Sequence, residues 1–472
     1  MIELHEHFID GAWVEGEGET FTLVDPATEE PSMTIRLGTA DETDRAVAAA
    51  VRALDGWRAT GVEERAAILE RMVAIYRERT ADFAQAMTLE MGCPITLSRE
   101  VQAPCGDGHL EATLEALRAH DFERPSPRGG STLVDEPVGV CALITPWNWP
   151  VNQVVVKIAP ALAAGCTMVL KPSELSPLSA VMLVEVAEEA GVPPGVLNMV
   201  QGDGPGVGER LTRHEDVDLV SFTGSTRAGI AIAKAAAETV KRVLLELGGK
   251  SANLLFADSD VEAAARRAVR AVCNNAGQDC DAPSRLLVER EVYDEVVRIA
   301  AEEAEAIGVA DPRREGDHVG PVVSGRQWRH IQSLIETGEQ EARLVAGGAG
   351  RPDGLERGWY VRPTIFADCT NDMTIAREEV FGPVLAVIPF DTEDEAVAIA
   401  NDSPYGLAAF VQTGDEERAA RVARRLRAGN VSVNGAAYDY DVPFGGMKRS
   451  GNSRENGFMG LEEYLDTKAI TT

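Results

Sequence analysis

The sequence has no run of about eighteen uninterrupted apolar residues, the length a helix needs to cross a bilayer. It also has no basic start followed by an apolar stretch. Its first residues, M-I-E-L-H-E-H-F-I-D, are acidic and mixed. Both absences lead to the expectation of a cytoplasmic chain with no membrane partner. Paired cysteines are missing too. The seven cysteines (93, 105, 141, 166, 273, 280 and 369) are odd in number, scattered and never spaced C-x-x-C. That pattern argues against a disulfide framework and a structural zinc site, so no metal is expected. Basic charge is short, with 45 Lys and Arg against 76 Asp and Glu and a net charge of −31. Such a surface repels nucleic acid and anionic lipid, and neither is expected as a partner. Lysine is scarce, which draws attention to Lys157, Lys171, Lys250 and Lys448, each inside or beside a motif described below.

What is present is a chain of 472 residues with an ordinary apolar fraction of 44%, long enough for two or three domains. Alternating apolar residues around Asp10-Gly11 predict a short hairpin within 8–24. Helical spacing predicts helices over 41–59, 63–91 and 98–120, the last weakened at its start by Pro104 and Gly106. Residues 138–145 (V-G-V-C-A-L-I-T) form a nearly continuous apolar run, as expected of a parallel strand buried on both faces.

From there the pattern alternates. Strands are predicted at 167–170, 196–200, 219–222 and 242–246, with helices over 153–164, 177–190 and 228–239 between them. This is the signature of a doubly wound parallel sheet, in which ligands bind at the carboxyl ends of strands. Asn148, Lys171, Gly202, Gly224 and Glu246 all fall at or just beyond such ends. A second α/β region begins at Ser251. A helix over 260–275 leads into N-N-A-G-Q-D-C-D-A-P (274–283), and the Gly-rich 441–456 segment is expected to loop over the site.

A lone cysteine, a carboxylate and an amide donor are the parts required to attack a carbonyl carbon. The thiolate adds, the carboxylate activates water and the amide stabilises the oxyanion. Cys280, Glu246 and Asn148 are the candidates. The segment from Gly202 fails the G-x-G-x-x-G fingerprint, because Val207 occupies the third glycine position. It reads G-x-G-x-x-x-G through Gly202, Gly204 and Gly208, and such a turn at a helix start can still receive a pyrophosphate. Lys171 and Glu174 add groups suited to ribose hydroxyls, and a carboxylate there disfavours a 2′-phosphate, so NAD is expected over NADP.

Taken in order, eight motifs resemble the NAD(P)-dependent aldehyde dehydrogenase superfamily in its hydrolytic branch. They are P-W-N-W-P (146–150), K-P-S-E (171–174), the Gly-rich loop (202–208), F-T-G-S-T (222–226), L-E-L-G-G-K (245–250), G-Q-D-C (277–280), E-E-V-F-G-P-V (378–384) and P-F-G-G-M-K-x-S-G (443–451). The resemblance implies oxidation of an aldehyde to its acid, with Cys280 as nucleophile, Glu246 as general base and Asn148 with the Cys280 N–H as oxyanion hole. Lys157 and Glu455 resemble groups on a proton path to Glu246. For the cofactor it implies Ile144, Thr145, Trp147, Lys171, Ser173, Glu174, Gly204, Gly208, Phe222, Gly224, Ser225, Leu247, Glu379 and Phe381. For the substrate tunnel it implies Trp149, Gln153, Asp279, Asp281 and Tyr438, with Val156, Asn274 and Tyr440 nearby.

The implied fold has a Rossmann-like cofactor domain (1–121 and 140–247), an α/β catalytic domain (248–449) and a small β oligomerisation element (122–139 and 460–472). A homodimer or homotetramer is implied. Asp279 and Asp281 depart from the small or apolar residues common beside such a cysteine. They cap local backbone or, alternatively, recognise a cationic aminoaldehyde in place of a range of aliphatic aldehydes. CoA-acylating relatives generally lack a base at the position of Glu246, which argues for hydrolysis. A catalytically silent homologue is the remaining alternative.

Overall fold

The computed structural model of the protein describes residues 1–471, and Thr472, the last residue of the expected C-terminal element, lies outside them. Two seven-stranded sheets dominate. The first runs, edge to edge, Arg242–Leu247, Leu219–Gly224, Val140–Ile144, Thr167–Lys171, Leu197–Met199, Glu6–Ile9 and Ala12–Glu15. Its first five strands are parallel, in accord with the apolar runs that predicted them. The two N-terminal strands pair antiparallel through Asp10-Gly11, both at positive φ, as a two-residue hairpin requires. The hairpin is shorter than the sequence suggests: it closes at Glu15, and Thr20–Val24 joins a separate three-stranded sheet.

The strand order reverses at Val140–Ile144. The chain moves outward from there to Thr167–Lys171 and Leu197–Met199, then returns to place Leu219–Gly224 on the other side. That switch point is where a crevice opens above the strand ends. The helices Ala40–Arg58, Val62–Met91, Ala103–Ala119, Pro150–Ala164 and Leu178–Glu189 cover the sheet. Pro150 stands at the first helical position, where its missing N–H costs nothing. The expected helix over 98–120 divides: Ser98–Gln102 make a wide π turn ahead of Ala103–Ala119, which relieves the clash Pro104 would cause inside a regular helix.

The second sheet runs Arg343–Ala346, Thr364–Ala367, Val384–Phe390, Arg285–Glu289, Ala252–Leu255, Ala408–Gln412 and Asn430–Val433, parallel except for its first strand. Each sheet has its own apolar core. Another three-stranded sheet joins Leu465–Thr471, Ser131–Pro137 and Glu123–Pro125, with the C-terminal strand at its edge. No described helix is long and apolar enough to cross a membrane.

Candidate active site

The helix Val261–Cys273 is capped by Asp260, buries Ala264, Ala268 and Val272, and ends where Asn274 leaves the helical region. The chain then takes three successive left-handed residues, Asn275, Ala276 and Gly277. A Cβ on Gly277 would lie 2.1 Å from the Gly382 carbonyl carbon, so only glycine fits. Left-handed Asn and Ala store strain that the surroundings must hold. The hold is visible. Asn275 Nδ2 donates to the Asn148 carbonyl at 2.8 Å, Gln278 Nε2 donates to the Asn275 carbonyl at 3.1 Å, and the Val323 N–H donates to Gln278 Oε1 at 2.8 Å. Gln278 and Asn275 are thus the frame of the cysteine loop. The Gly-Gln pair was the only sequence signal for this role.

Asn148 Nδ2 donates to the Gln278 carbonyl at 3.1 Å. One of its two amide hydrogens is used there, which fixes the side chain and leaves the other to donate elsewhere. Cys280 follows two residues later. Among the described residues it is the one cysteine that is not fully buried. Burial and then the carboxyl groups of Asp281, Asp279, Glu246 and Glu379 push its thiol well above the ordinary range. The resting site therefore holds a thiol, and attack requires a proton acceptor.

Glu246 supplies a carboxyl at the end of its strand. It is 3% exposed, Ser453 Oγ donates to its Oε1 at 2.8 Å, and its Oε2 has no hydrogen-bond partner among the described residues. Burial and the nearby Glu455 carboxyl raise its pKa well above the usual carboxylate range. Glu455 in turn accepts from Lys157 Nζ at 2.5 Å, and Lys157 also donates to Ser221 Oγ at 3.2 Å. Lys157 and Glu455 thus meet each other beside Glu246. The 441–456 segment carries both Ser453 and Glu455. It pairs Gly451 with Glu246 and Phe444 with Glu455, so it does lie over the site.

The two glycines of L-E-L-G-G-K have separate reasons. A Cβ on Gly248 would lie 2.1 Å from Glu379 Oε2, and one on Gly249 would lie 2.3 Å from the Cys280 carbonyl oxygen. Glu379 Oε1 accepts from the Gly249 N–H at 2.9 Å, and burial pushes its carboxyl up to about 7. Lys250, next in the chain, is buried with no partner for Nζ among the described residues, and burial lowers it to about 7. Lys448 is structural: its ammonium donates to the Asn401 and Ser403 carbonyls.

Above the switch point, Thr145 Oγ1 and Thr223 Oγ1 are buried without partners among the described residues, one on each side of the reversal. Ile144 and Phe222, the residues before them, pair across the same two strands. Lys171 is buried, donates to the Gly202 carbonyl at 2.8 Å and sits 3.6 Å from Glu174. Ser173 Oγ accepts from the Leu175 N–H at 3.2 Å and turns this loop.

Residues 204–208 form a π turn capped by Asp203. Gly202 and Gly206 are demanded by packing, since their Cβ atoms would meet Val207 at 2.3 Å and Asp203 Oδ1 at 2.8 Å, whereas a Cβ on Gly204 meets nothing within 4 Å and one on Gly208 makes ordinary contacts. Gly224 leads into Ser225, which caps the helix Thr226–Ala236, and Leu247 packs where Gly229 of that helix has no side chain. Trp147 and Phe381 meet edge to face at 5.5 Å, with Phe381 held at positive φ. Orphan hydroxyls, a buried ammonium paired with a carboxylate, and an aromatic pair along one crevice fit a nucleotide with ribose, pyrophosphate and a flat ring.

On the other side of Cys280, Trp149 Nε1 is buried against the Asp279 carboxyl and favours its charged form, and Gln153 is 5% exposed with its Oε1 unpartnered among the described residues. Asp279 and Asp281 neighbour each other, and burial raises both above the usual range. Tyr438 is 54% exposed, and its hydroxyl accepts from Asn456 Nδ2 at 2.7 Å. Tyr440 lies 5.1 Å from Tyr438, and its hydroxyl donates to Cys105 at 3.6 Å. A cleft of about 750 Å³ opens outward from here, with Val101, Arg267, Asn274, Asp279, Asp281 and Phe410 among its walls. Cys105, His109 and Asn152 join this group without any sequence signal having singled them out.

Comparison with known proteins places these features in context. The model of the Aldehyde dehydrogenase family matches residues 13–470. A 3-succinoylsemialdehyde-pyridine dehydrogenase of a Pseudomonas species is 51% identical over 473 residues, covering 100% of this chain and 99% of that protein. The crystal structure of an aldehyde dehydrogenase from Bartonella henselae superposes with a TM-score of 0.98 at 46% identity over the full length of both chains. A cysteine-to-alanine variant of aldehyde dehydrogenase C from Pseudomonas syringae, in complex with NAD+ and octanal, superposes at 0.97 with 48% identity, covering 99% of this chain and 96% of that one.

Proposed function

The chain belongs to the aldehyde dehydrogenase family, and from that membership and the geometry of the site we propose that it oxidises an aldehyde to its carboxylic acid with NAD, through Cys280 and Glu246. Cys280 Sγ adds to the aldehyde carbon and its proton passes to a carboxylate base. The oxyanion of the thiohemiacetal takes hydrogen bonds from the second Asn148 amide hydrogen and the Cys280 N–H. One such donor contributes about 3 kcal/mol in the transition state. NAD, when bound, supplies the acceptor for the hydride that leaves this carbon. Glu246 then takes a proton from water as the water attacks the thioester, and the acid leaves with the thiol restored.

The observation that carries this reading is the Glu246 carboxyl, anchored through one oxygen by Ser453 while the other has no partner among the described residues. A buried, raised carboxyl of this kind suits a general base near neutral pH. Release to water is favoured over release to CoA for the same reason. Lys157 and Glu455 give Glu246 a route for its proton.

Lys171, Ser173 and Glu174 hold the adenine-side ribose, with the carboxylate of Glu174 favouring NAD over NADP. Gly204, Gly208, Gly224 and Ser225 face the pyrophosphate. Ile144, Thr145, Trp147, Phe222, Leu247, Glu379 and Phe381 line the rest of the crevice. In domain terms, 1–121 with 140–247 bind the cofactor and 248–449 carry the cysteine. Segments 122–139 and 460–472 join subunits into a dimer or tetramer, because the edge strand Leu465–Thr471 is paired on one side only among the described residues.

The substrate wall is Trp149, Gln153, Asp279, Asp281 and Tyr438. An aminoaldehyde would need the aspartates ionised, whereas burial favours the neutral form of both and the Asp281 carboxyl adds to that effect at Asp279. Uncharged chains therefore suit the wall better than cations.

The test is NADH formation from propanal with NAD, with and without CoA, in wild type and Cys280→Ala. CoA-independent turnover that vanishes in Cys280→Ala is expected. Activity that survives the substitution, or that requires CoA, overturns the reading.

A further inference from the structure

The strand Leu197–Met199 is tied to the N-terminal hairpin by a single residue pair, Met199 with Phe8. Beyond it the chain becomes the Gly-rich turn, and side chains replace the sheet as its support. Gln201 is the residue they hold. Its N–H donates to Nδ1 of His7 at 3.3 Å, and its carbonyl accepts from the Gly38 N–H at 2.7 Å. Its Nε2 donates to the carbonyls of Leu4 and Glu6, at 2.9 Å each. His7 and Gln201 are 0% and 1% exposed, so a bond lost here is not made good by bulk water.

His7 accepts this bond only as a neutral ring with its proton on Nε2. Burial pushes the ring below its ordinary range and keeps it neutral near pH 7, while the Glu42 carboxyl pulls the other way. Glu42 faces the second nitrogen, with Oε1 3.5 Å from Nε2. That carboxyl is itself fixed by the N–H groups of Glu17 and Thr39 and by the Thr39 hydroxyl. The start of the helix Ala40–Arg58 thus sets the tautomer of His7.

On the far side of Gln201 lies the nucleotide end of the crevice. The next carbonyl, that of Gly202, accepts from Lys171 Nζ at 2.8 Å and directs that buried ammonium. Val207 folds back over the turn, so that a Cβ on Gly202 would meet it at 2.3 Å and one on Gly38 at 3.1 Å. A shift of Gln201 therefore carries Gly202, Lys171 and the turn with it. None of these bonds involves Cys280, Glu246 or Asn148.

Resting on the aldehyde dehydrogenase reading above, we propose that His7 is a positioning residue for the cofactor. Through the Gln201 N–H it sets how tightly the adenosine end of NAD is held, and it leaves the chemistry at Cys280 untouched.

Two amides separate the roles of the two ring nitrogens. Asn at this position can place its oxygen where Nδ1 stands, whereas Gln reaches the place of Nε2 and loses the acceptor. The test measures Kd for NAD and for ADP-ribose by titration calorimetry without aldehyde, then kcat with hexanal at saturating NAD. His7→Gln is expected to weaken both ligands by about 10-fold. Its kcat should stay within about twofold of wild type. His7→Asn should bind both ligands within about threefold of wild type. Gln201→Met drops the two Nε2 bonds and should weaken both ligands as His7→Gln does, so it carries the test if His7→Gln does not fold. Undiminished binding in His7→Gln and Gln201→Met, equal losses in His7→Asn and His7→Gln, weakened NAD with unchanged ADP-ribose, or a loss that falls on kcat overturns the assignment. Wild type that binds no NAD, or forms no NADH from hexanal, would instead overturn the parent reading, so the two failures are distinct.

Discussion

Ser453 Oγ donates to Oε1 of Glu246 at 2.8 Å, across 207 residues of chain, and holds the carboxyl with its other oxygen unpartnered among the described residues. The bond lowers the Glu246 pKa against the larger effect of burial. Ser453→Ala removes an orienting bond to a group that must ionise, worth about 1.5–3 kcal/mol. Thioester hydrolysis should slow by about 10-fold or more. Rapid-mixing measurement of NADH should then show a burst followed by a slower steady state.

Glu455 raises the Glu246 pKa and Lys157 lowers it. A general base works only when ionised, so kcat should climb with pH through the Glu246 titration. Glu455→Gln removes a like charge and leaves the Lys157 cation without its partner. Both changes favour the Glu246 carboxylate, and the rising limb should move to lower pH. Lys157→Met should move it the other way. A limb that stays fixed in both variants would separate it from Glu246.

Asp281 and Asp279 both push the Cys280 thiol upward. Asp281→Asn should therefore move the midpoint of Cys280 alkylation by iodoacetamide to lower pH, read as rate against pH without cofactor. Asp279→Asn should move it in the same direction. No shift in either variant would show that these carboxyls are already neutral where the thiol ionises.

Glu90 is 2% exposed and accepts from the Leu178 N–H, the Ser179 N–H and Ser179 Oγ, where the helix Leu178–Glu189 begins. Burial raises its pKa from 4.5 to about 7. A carboxyl raised on folding lends its full stability below about 4.5, and that contribution is lost as pH climbs through about 7. Glu90→Gln has no such titration. Its Tm relative to wild type should therefore improve as pH rises across that window, followed by circular dichroism.

Much of this site was legible before any coordinates. Asn148, Lys171, Gly224 and Glu246 stand at or just past strand ends because apolar runs of four to six residues declared the parallel strands. Motifs that are local in sequence, such as the cysteine loop, came through whole. Ser453 and His109 did not, because their partners lie far away in the chain and neither has a local pattern. The strand Ala408–Gln412 was equally silent: A-A-F-V-Q is short and alanine-rich, and only its place between two other strands makes it a strand. The hairpin was over-extended because alternation continues past Glu15, although those residues pair with a different sheet.

The burial of six cysteines and the partial exposure of the seventh give the protein a built-in tally mark. A thiol reagent should attach once per chain, slowly near neutrality and faster as pH rises, without removal of any other cysteine. The fraction of chains that accept it then counts the competent molecules in a preparation, so measured rates can be expressed per working site instead of per milligram.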